Sequence, residues 1–348
     1  MKSRQRIGRG SMMIKMVRNL STYIEYAKKH SITDIHIRSG MGIFCRRHGN
    51  IFYIENDSFF FDEPAIMALI SNSQLNLSVE AQKSIKKSDF KSLDTSCQSG
   101  NVRVNIFRDI GGMGMAIRIL PDEIPSMDEL RLPPAVRNFV NCESGLVIIS
   151  GPTGSGKTST LAALLNEISQ HQQKHIITIE EPVEYKIPSA ASLVTQRNVG
   201  IHCESFASGL RDALRQDPDI ILVGEMRDAE TISTAMQAAE TGHLVFSTLH
   251  ASNTTEAVDR FSQYFPAERN SEIRLQLANC LQGIVAQKLL PAKDKNHRVA
   301  AFEVMLATDA IKAVIRSGKT FQLKDYMHGN GMITMENSIN GLHNKHLI

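Results

Sequence analysis

With 348 residues, of which 42% are hydrophobic and 22% charged, the chain has the composition of a soluble globular protein with room for two cores of ordinary size. No apolar stretch approaches the roughly 18 residues that a membrane helix needs, so membrane association would have to come through partners. A formal net charge of +3 is too small for a polyanion-binding surface and argues against nucleic acid as a partner.

The chain opens on Lys2, Arg4, Arg6, Arg9, Lys15 and Arg18 without an acid, and Gly8 and Gly10 interrupt any helix, so residues 1–15 read as a disordered basic leader. Ser11 to Asn19 lacks the apolar core of a secretory signal, and the expected location is the cytoplasm. From residue 16 to 120 the pattern is that of a small α+β domain. Val17, Leu20, Ile24 and Ala27 recur at helical spacing, and Thr33–Ile37 alternates as a strand. A helical stretch covers Glu63–Ser71, further strands are expected at Ile51–Ile54, Val102–Phe107 and Met115–Leu120, and Gly111-Gly112 marks a turn. Pro121, Pro125, Pro133 and Pro134 then suggest an extended linker over residues 121–135.

Residues 136–348 form the second predicted domain, in which strands and helices alternate as in a parallel sheet covered by helices. The strands are Leu146–Ser150, Ile176–Ile179, Ile220–Val223 and Leu244–Thr248, with helices after Lys157 and near Phe206–Gln216 and Ala229–Thr241. The last hundred residues read as mostly helical, with Leu275, Leu277, Leu281, Ile284 and Val285 as an apolar stripe. The five cysteines are widely spaced, contain no C-x-x-C, and suggest plain buried thiols.

The chemistry concentrates after the first of those strands. Gly151, Pro152, Thr153, Gly154, Ser155, Gly156, Lys157 and Thr158 fit G-x-x-x-x-G-K-[ST], a phosphate-binding loop, with Ser159 continuing into the helix. Its glycines let backbone N–H groups turn toward phosphate oxygens, and the helix N-terminus adds positive potential. Lys157 is expected to reach the β- and γ-phosphates, and the Thr158 hydroxyl to ligate Mg²⁺. Asp219–Glu225 is an aliphatic strand ending in an acid, so Glu225 is the candidate general base that orients water. Glu180, Glu181 and Glu184 follow another predicted strand; beside a triphosphate they imply metal coordination or metal-bound water, with Glu180 acting through water. His243 and His250 lie at the two ends of Leu244–Thr248 and are candidates for sensing phosphate.

In this order the segments resemble the secretion ATPase superfamily and, within it, the PilT-like retraction motors of type IV pili. The resemblance runs from about Leu20 to Ile348. It rests on the phosphate loop, Thr178–Glu184 (the family's Asp box), Gln196-Arg197-Asn198-Val199-Gly200, Leu214-Arg215-Gln216-Asp217-Pro218-Asp219 leading into Val223-Gly224-Glu225-Met226-Arg227-Asp228, and Thr241–Ala251 (the His box). It implies a PAS-like N-terminal domain, a RecA-like ATPase domain with a helical C-terminal part, ATP and Mg²⁺ as ligands, and Arg215 among the nucleotide-binding residues.

It further implies a homohexamer with sites between subunits, in which Arg103 and Arg118 act in trans as arginine fingers. An inner-membrane pilus platform protein is the implied partner, with a paralogous ATPase as a further one, and the protein would sit peripherally at the inner membrane. The family's Ala-Ile-Arg-Asn-Leu motif appears here as Ala310-Ile311-Lys312-Ala313-Val314, and Glu181 stands where the Asp box carries Asp. Those departures keep open an accessory subunit with weak hydrolysis, or a motor of conjugation or type IV secretion. A helicase is disfavoured by the weak net charge and the absence of Trp.

Overall fold

The computed structural model describes residues 19–47, 50–54, 61–73, 75–97, 101–120, 122–294 and 297–348. The expected leader lies outside them. The chain divides between Asp122 and Glu123 into two compact units.

In the first unit, helix α1 (Leu20–Lys29) starts where the Asn19 side chain accepts the Ser21 N–H, and ends on Lys28 and Lys29, which suit the helix dipole. Helices α2 (Glu63–Asn72) and α3 (Val79–Ile85) are capped in the same way by Asp62 and Ser78. Six antiparallel strands form one sheet: β1 (Asp34–Arg38), β2 (Ile43–Arg47), β3 (Asn50–Tyr53), β4 (Ser92–Ser96), β5 (Val102–Asp109) and β6 (Gly112–Ile119), in the order β3-β2-β1-β6-β5-β4. Strand alternation turns Ile35, Ile37, Val104, Ile106, Met115 and Ile117 into a core shared with Ile24, Ile66 and Leu69 of the helices. The opposite face carries Asp34, His36, Arg103, Asn105 and Arg118.

The second unit holds short helix α4 (Pro134–Arg137), then β7 (Gly145–Ser150), α5 (Lys157–His171), β8 (His175–Glu180), β9 (Leu193–Asn198), α6 (Phe206–Ala213), β10 (Ile220–Val223), α7 (Ala229–Glu240) and β11 (Leu244–Leu249). After these come α8 (Thr254–Gln263), α9 (Asn270–Cys280), β12 (Leu281–Pro291), β13 (Arg298–Leu306), α10 (Asp309–Ser317) and α11 (Met335–Asn344). The seven-stranded sheet runs β13-β12-β7-β11-β10-β8-β9 and is parallel except for the antiparallel β12–β13 pair. Every residue of β7, β10 and β11 is buried, as expected for strands covered on both faces. Leu146 and Ile148 pack with α6, α7 and α9 on one face, and Val147 and Ile149 pack with α5 on the other.

Two expectations are corrected. The stretch expected as an extended linker over 121–135 packs on the second unit from Glu123 onward: Leu132 and Ala135 are buried, and Ile124, Met127 and Leu130 lie against the same core. Pro133 and Pro134 start the helix Pro134–Arg137, and the spaced apolar residues are enough to anchor the stretch. The predicted helical stripe is divided. Leu277 is on α9, Leu275 is exposed, and Leu281, Ile284 and Val285 belong to β12, the first arm of a β-hairpin. A spacing of three and four residues fits a helix, but a Cβ at Gly283 would stand 2.6 Å from the Phe139 ring and 2.9 Å from the Met305 carbonyl, which is the close packing of a strand inside a sheet.

Candidate active site

Parallel strands present their C-terminal ends along one edge, where open α/β sheets bind ligands. Register fixes what meets there. Leu249 pairs with Ser150, Val223 with both Ser247 and Ile179, and Glu180 with Asn198, so the segments after β7, β8, β10 and β11 converge.

The loop after β7 carries Gly151, Gly154 and Gly156 at φ values of 145°, 76° and 92°, a region that side chains rarely adopt. A Cβ on Gly151 would lie 2.4 Å from the Gln287 carbonyl, so the loop is seated directly on β12. Gly156 is the N-cap of α5 and supplies no side-chain cap, leaving the first-turn N–H groups to an incoming acceptor. The buried Ser155 Oγ has no hydrogen-bond partner. Lys157 Nζ curls into the loop, donating to the Gly151 carbonyl at 2.7 Å and the Pro152 carbonyl at 3.2 Å. Burial lowers its pKa, and Glu225 partly offsets the effect. Glycine backbone, unspent donors and an ammonium confined by carbonyls suit a phosphate chain. Thr158 sits half-buried beside Lys157, and its hydroxyl is the oxygen available for a hard cation. The Ser159 hydroxyl is engaged by Tyr185 at 2.8 Å.

Across the edge, Glu180 ends β8 in a buried position, accepting from Thr178 Oγ1 at 2.6 Å and Gln196 Nε2 at 3.3 Å. Burial pushes its carboxyl up to about 7, against the lowering effect of the Thr178 and Gln196 bonds. Glu225, just past β10, is gripped from two sides: Arg227 Nε donates to its Oε2 at 2.8 Å, and His250 Nε2 lies 3.3 Å from its Oε1. Arg227 also reaches Glu181 at 2.7 Å, and so bridges the two acidic segments. Burial lowers the His250 pKa, with Lys157 acting in the same direction and Glu225 opposing. Gly224 permits this closeness, since a Cβ there would lie 3.1 Å from the Ile179 carbonyl.

Not every predicted residue joins this edge. His243 is corrected: it precedes β11, its carbonyl accepts from Gly145 at the start of β7, and its Nδ1 is 3.0 Å from the Ala238 carbonyl. A six-residue strand separates it from His250, so only His250 reaches the site. Arg215 is likewise exposed between α6 and β10, at the opposite edge of the sheet. Arg103 and Arg118 lie in the first unit as direct partners on β5 and β6. Arg118 donates to Asp34 at 2.9 Å and Arg103 to Asp94 at 3.4 Å, both at exposed positions. Sequence reasoning passed over Arg227, Tyr185 and Gln287. Arg227 was within reach, because it follows Glu225 by two residues in a segment already singled out.

A family model described as type II/IV secretion system protein matches residues 92–334. The Escherichia coli (strain K12) protein named uncharacterized protein YggR is 37% identical over 331 residues, covering 92% of this chain and 97% of that protein. The type IV pilus retractation ATPase PilT of Pseudomonas aeruginosa is 36% identical over 336 residues, covering 95% of each chain. The crystal structure of the pilus retraction motor PilT with bound ADP superposes with a TM-score of 0.84 at 35% identity, covering 95% of this chain and 94% of that one.

Proposed function

This chain belongs to the type II/IV secretion system protein family, and from that premise we propose that it is a Mg²⁺-dependent ATP-hydrolysing motor that powers type IV pilus retraction. The observation that carries the reading is the single sheet edge at which the phosphate loop, Glu180, Glu225, Arg227 and His250 converge. Likeness to PilT along nearly the whole chain supports retraction as the work done.

The proposed division of labour follows from the groups present. Backbone N–H groups of residues 153–159 and Lys157 bind the β- and γ-phosphates, Lys157 exchanging its bonds to the Gly151 and Pro152 carbonyls for phosphate oxygens. Thr158 would hold Mg²⁺ directly and Glu180 through water, and the bound cation would supply charge neutralisation to the phosphates. Glu225 orients and deprotonates the attacking water, held by Arg227 and His250. Glu181 shares Arg227 with it and Glu184 follows on the same acidic loop, so Glu184→Gln is the comparison that tests whether Glu225 alone is the base.

The working form is proposed to be a homohexamer in which Arg103 and Arg118 reach the nucleotide of a neighbouring subunit. Exposed ion pairs are worth roughly 0–1 kcal/mol, so Asp94 and Asp34 can be exchanged for phosphate at little cost. No helix among the described residues is long and apolar enough to cross a membrane. A cytoplasmic position at the inner membrane would therefore come through a pilus platform protein, with a paralogous ATPase as a second partner.

Surface pili counted by electron microscopy test the reading, in a strain lacking the gene and complemented with wild type or Glu225→Gln. Excess pili corrected only by wild type are expected. A bald cell would assign the chain to assembly. An unchanged count would favour an accessory or other secretion role, the reading that the altered segment 310–314 admits, where Lys312 and Ala313 lie on α10.

A further inference from the structure

The segment leaving β8, residues 181–187, carries Glu181 and Glu184 yet forms neither helix nor strand, so its main-chain groups need partners from elsewhere. Side chains of the edge strand β9 supply them. Asn198 Oδ1 accepts the Val183 N–H at 2.6 Å, and Gln196 Oε1 accepts the Ile187 N–H at 2.9 Å. Gln196 Nε2 donates to the Tyr185 carbonyl at 2.9 Å and to Glu180 at 3.3 Å. The Glu184 N–H is itself directed to the Glu180 carboxylate. Gln196 and Asn198 are two residues apart and point to one side of β9, so together they act as a surrogate strand for the acidic loop. They also account for the Gln196–Gly200 motif, which the proposed chemistry leaves without a task.

One further bond ties this loop to the phosphate site. Tyr185, 7% exposed, places its hydroxyl 2.8 Å from Ser159 Oγ, in the first turn of α5 beside Lys157 and Thr158. We propose that Tyr185 is a positioning residue for ATP hydrolysis: its bond to Ser159 locks the acidic loop, held by Gln196 and Asn198, to the phosphate-binding helix and sets where Glu184 stands relative to the phosphates. The proposal rests on the ATPase reading above. Binding of the phosphates is the task of the loop and Lys157, so loosening the lock changes turnover and leaves affinity alone.

The test uses the full chain as Tyr185→Phe, Ser159→Ala and the double variant, measuring kcat and KM for ATP, the affinity for a non-hydrolysable ATP analogue, and amide hydrogen exchange. One neutral hydrogen bond corresponds to about a two- to tenfold change in an equilibrium, so kcat should fall by about that factor, with affinity changed less than about twofold. The double variant should be no slower than the slower single variant, because both substitutions remove the same bond. The amides of Val183, Glu184 and Ile187 should exchange faster in Tyr185→Phe. Unchanged kcat, a loss of affinity equal to the loss of kcat, or additive effects would each overturn the proposal. A wild-type chain that binds ATP without hydrolysing it would sink the ATPase reading instead, and exchange at 183–187 would then judge the lock alone.

Discussion

Thr160 and Gln287 offer a double-mutant cycle at the floor of the phosphate loop. Thr160 Oγ1 donates to Gln287 Oε1 at 3.0 Å, and the two residues are 0% and 3% exposed. Replacing Gln287 with Leu leaves a buried hydroxyl without this acceptor; replacing Thr160 with Val leaves a buried amide oxygen without its donor. Each orphaned group should cost about 1–3 kcal/mol, whereas removing both partners together costs much less than the sum. A coupling of about 1–2 kcal/mol is expected, of which the Thr160 hydroxyl can recover part by turning to the Gly156 carbonyl one turn back. In a unit of the size of Glu123–Ile348, 1 kcal/mol moves Tm by about 2–4 °C. Thr160→Val/Gln287→Leu should therefore melt at least 2–4 °C above the value that the single variants predict by addition. The assay is calorimetry of all four chains, with the first unit as internal reference. Additivity within about 0.5 kcal/mol would refute a shared buried bond.

Three shorter tests bear on neighbouring features. Gly151→Ala places a Cβ 2.4 Å from the Gln287 carbonyl at a φ of 145°, and should weaken nucleotide binding at least about 100-fold while the first unit keeps its Tm; tight binding would contradict the seated loop. Burial raises the folded Glu180 carboxyl from 4.5 to about 7, so its neutral form contributes stability fully present below pH 4.5 and lost as pH rises through 7. Glu180→Gln should erase that decline, gaining on wild type by up to about 3 kcal/mol between pH 5 and 8 in nucleotide-free protein, and a flat difference would refute it. Burial pushes the Cys45 and Cys280 thiols up to about 12, so with thiolate fractions near about 10⁻⁴ at pH 8 both should alkylate only as fast as the fold opens, after half-buried Cys142 and Cys203. Labelling in the reverse order would count against the burial.

How far the sequence discloses this fold depends on how local each constraint is. The strands β7, β10 and β11 are mostly apolar along their whole length because helices cover both their faces, and composition marks them. Strands β4 and β9 were missed for the opposite reason: Ser92-Leu93-Asp94-Thr95-Ser96 and Leu193-Val194-Thr195-Gln196-Arg197-Asn198 are polar edge strands, and β9 spends its side chains on the acidic loop. The β12–β13 hairpin imitates helical spacing until Phe139, 144 places before Gly283 in the chain, fixes its packing. For the site, Lys157 and Glu225 are local signals, each a motif at a strand end. Tyr185 and Gln287 act through contacts formed only after folding, and nothing beside them in the chain announces that.

The two histidines of one motif show what periodicity leaves undecided. A strand has two ends, and in a parallel sheet only the C-terminal one faces the ligand edge, so the imidazoles flanking β11 cannot share a task. His250 meets Glu225, which Arg227 holds from the other side while also holding Glu181. Carboxylates from separate loops thus share one guanidinium, and Glu225 stands near enough to Lys157 to favour its charged form against the effect of burial. Entry of a triphosphate adds negative charge beside these acids. Unless cation pairs rearrange, Glu225 and Glu181 repel it, so Lys157 must leave the Gly151 and Pro152 carbonyls to meet it. Arg227, about half exposed, is the cation that joins the two acidic segments by holding Glu225 and Glu181 together.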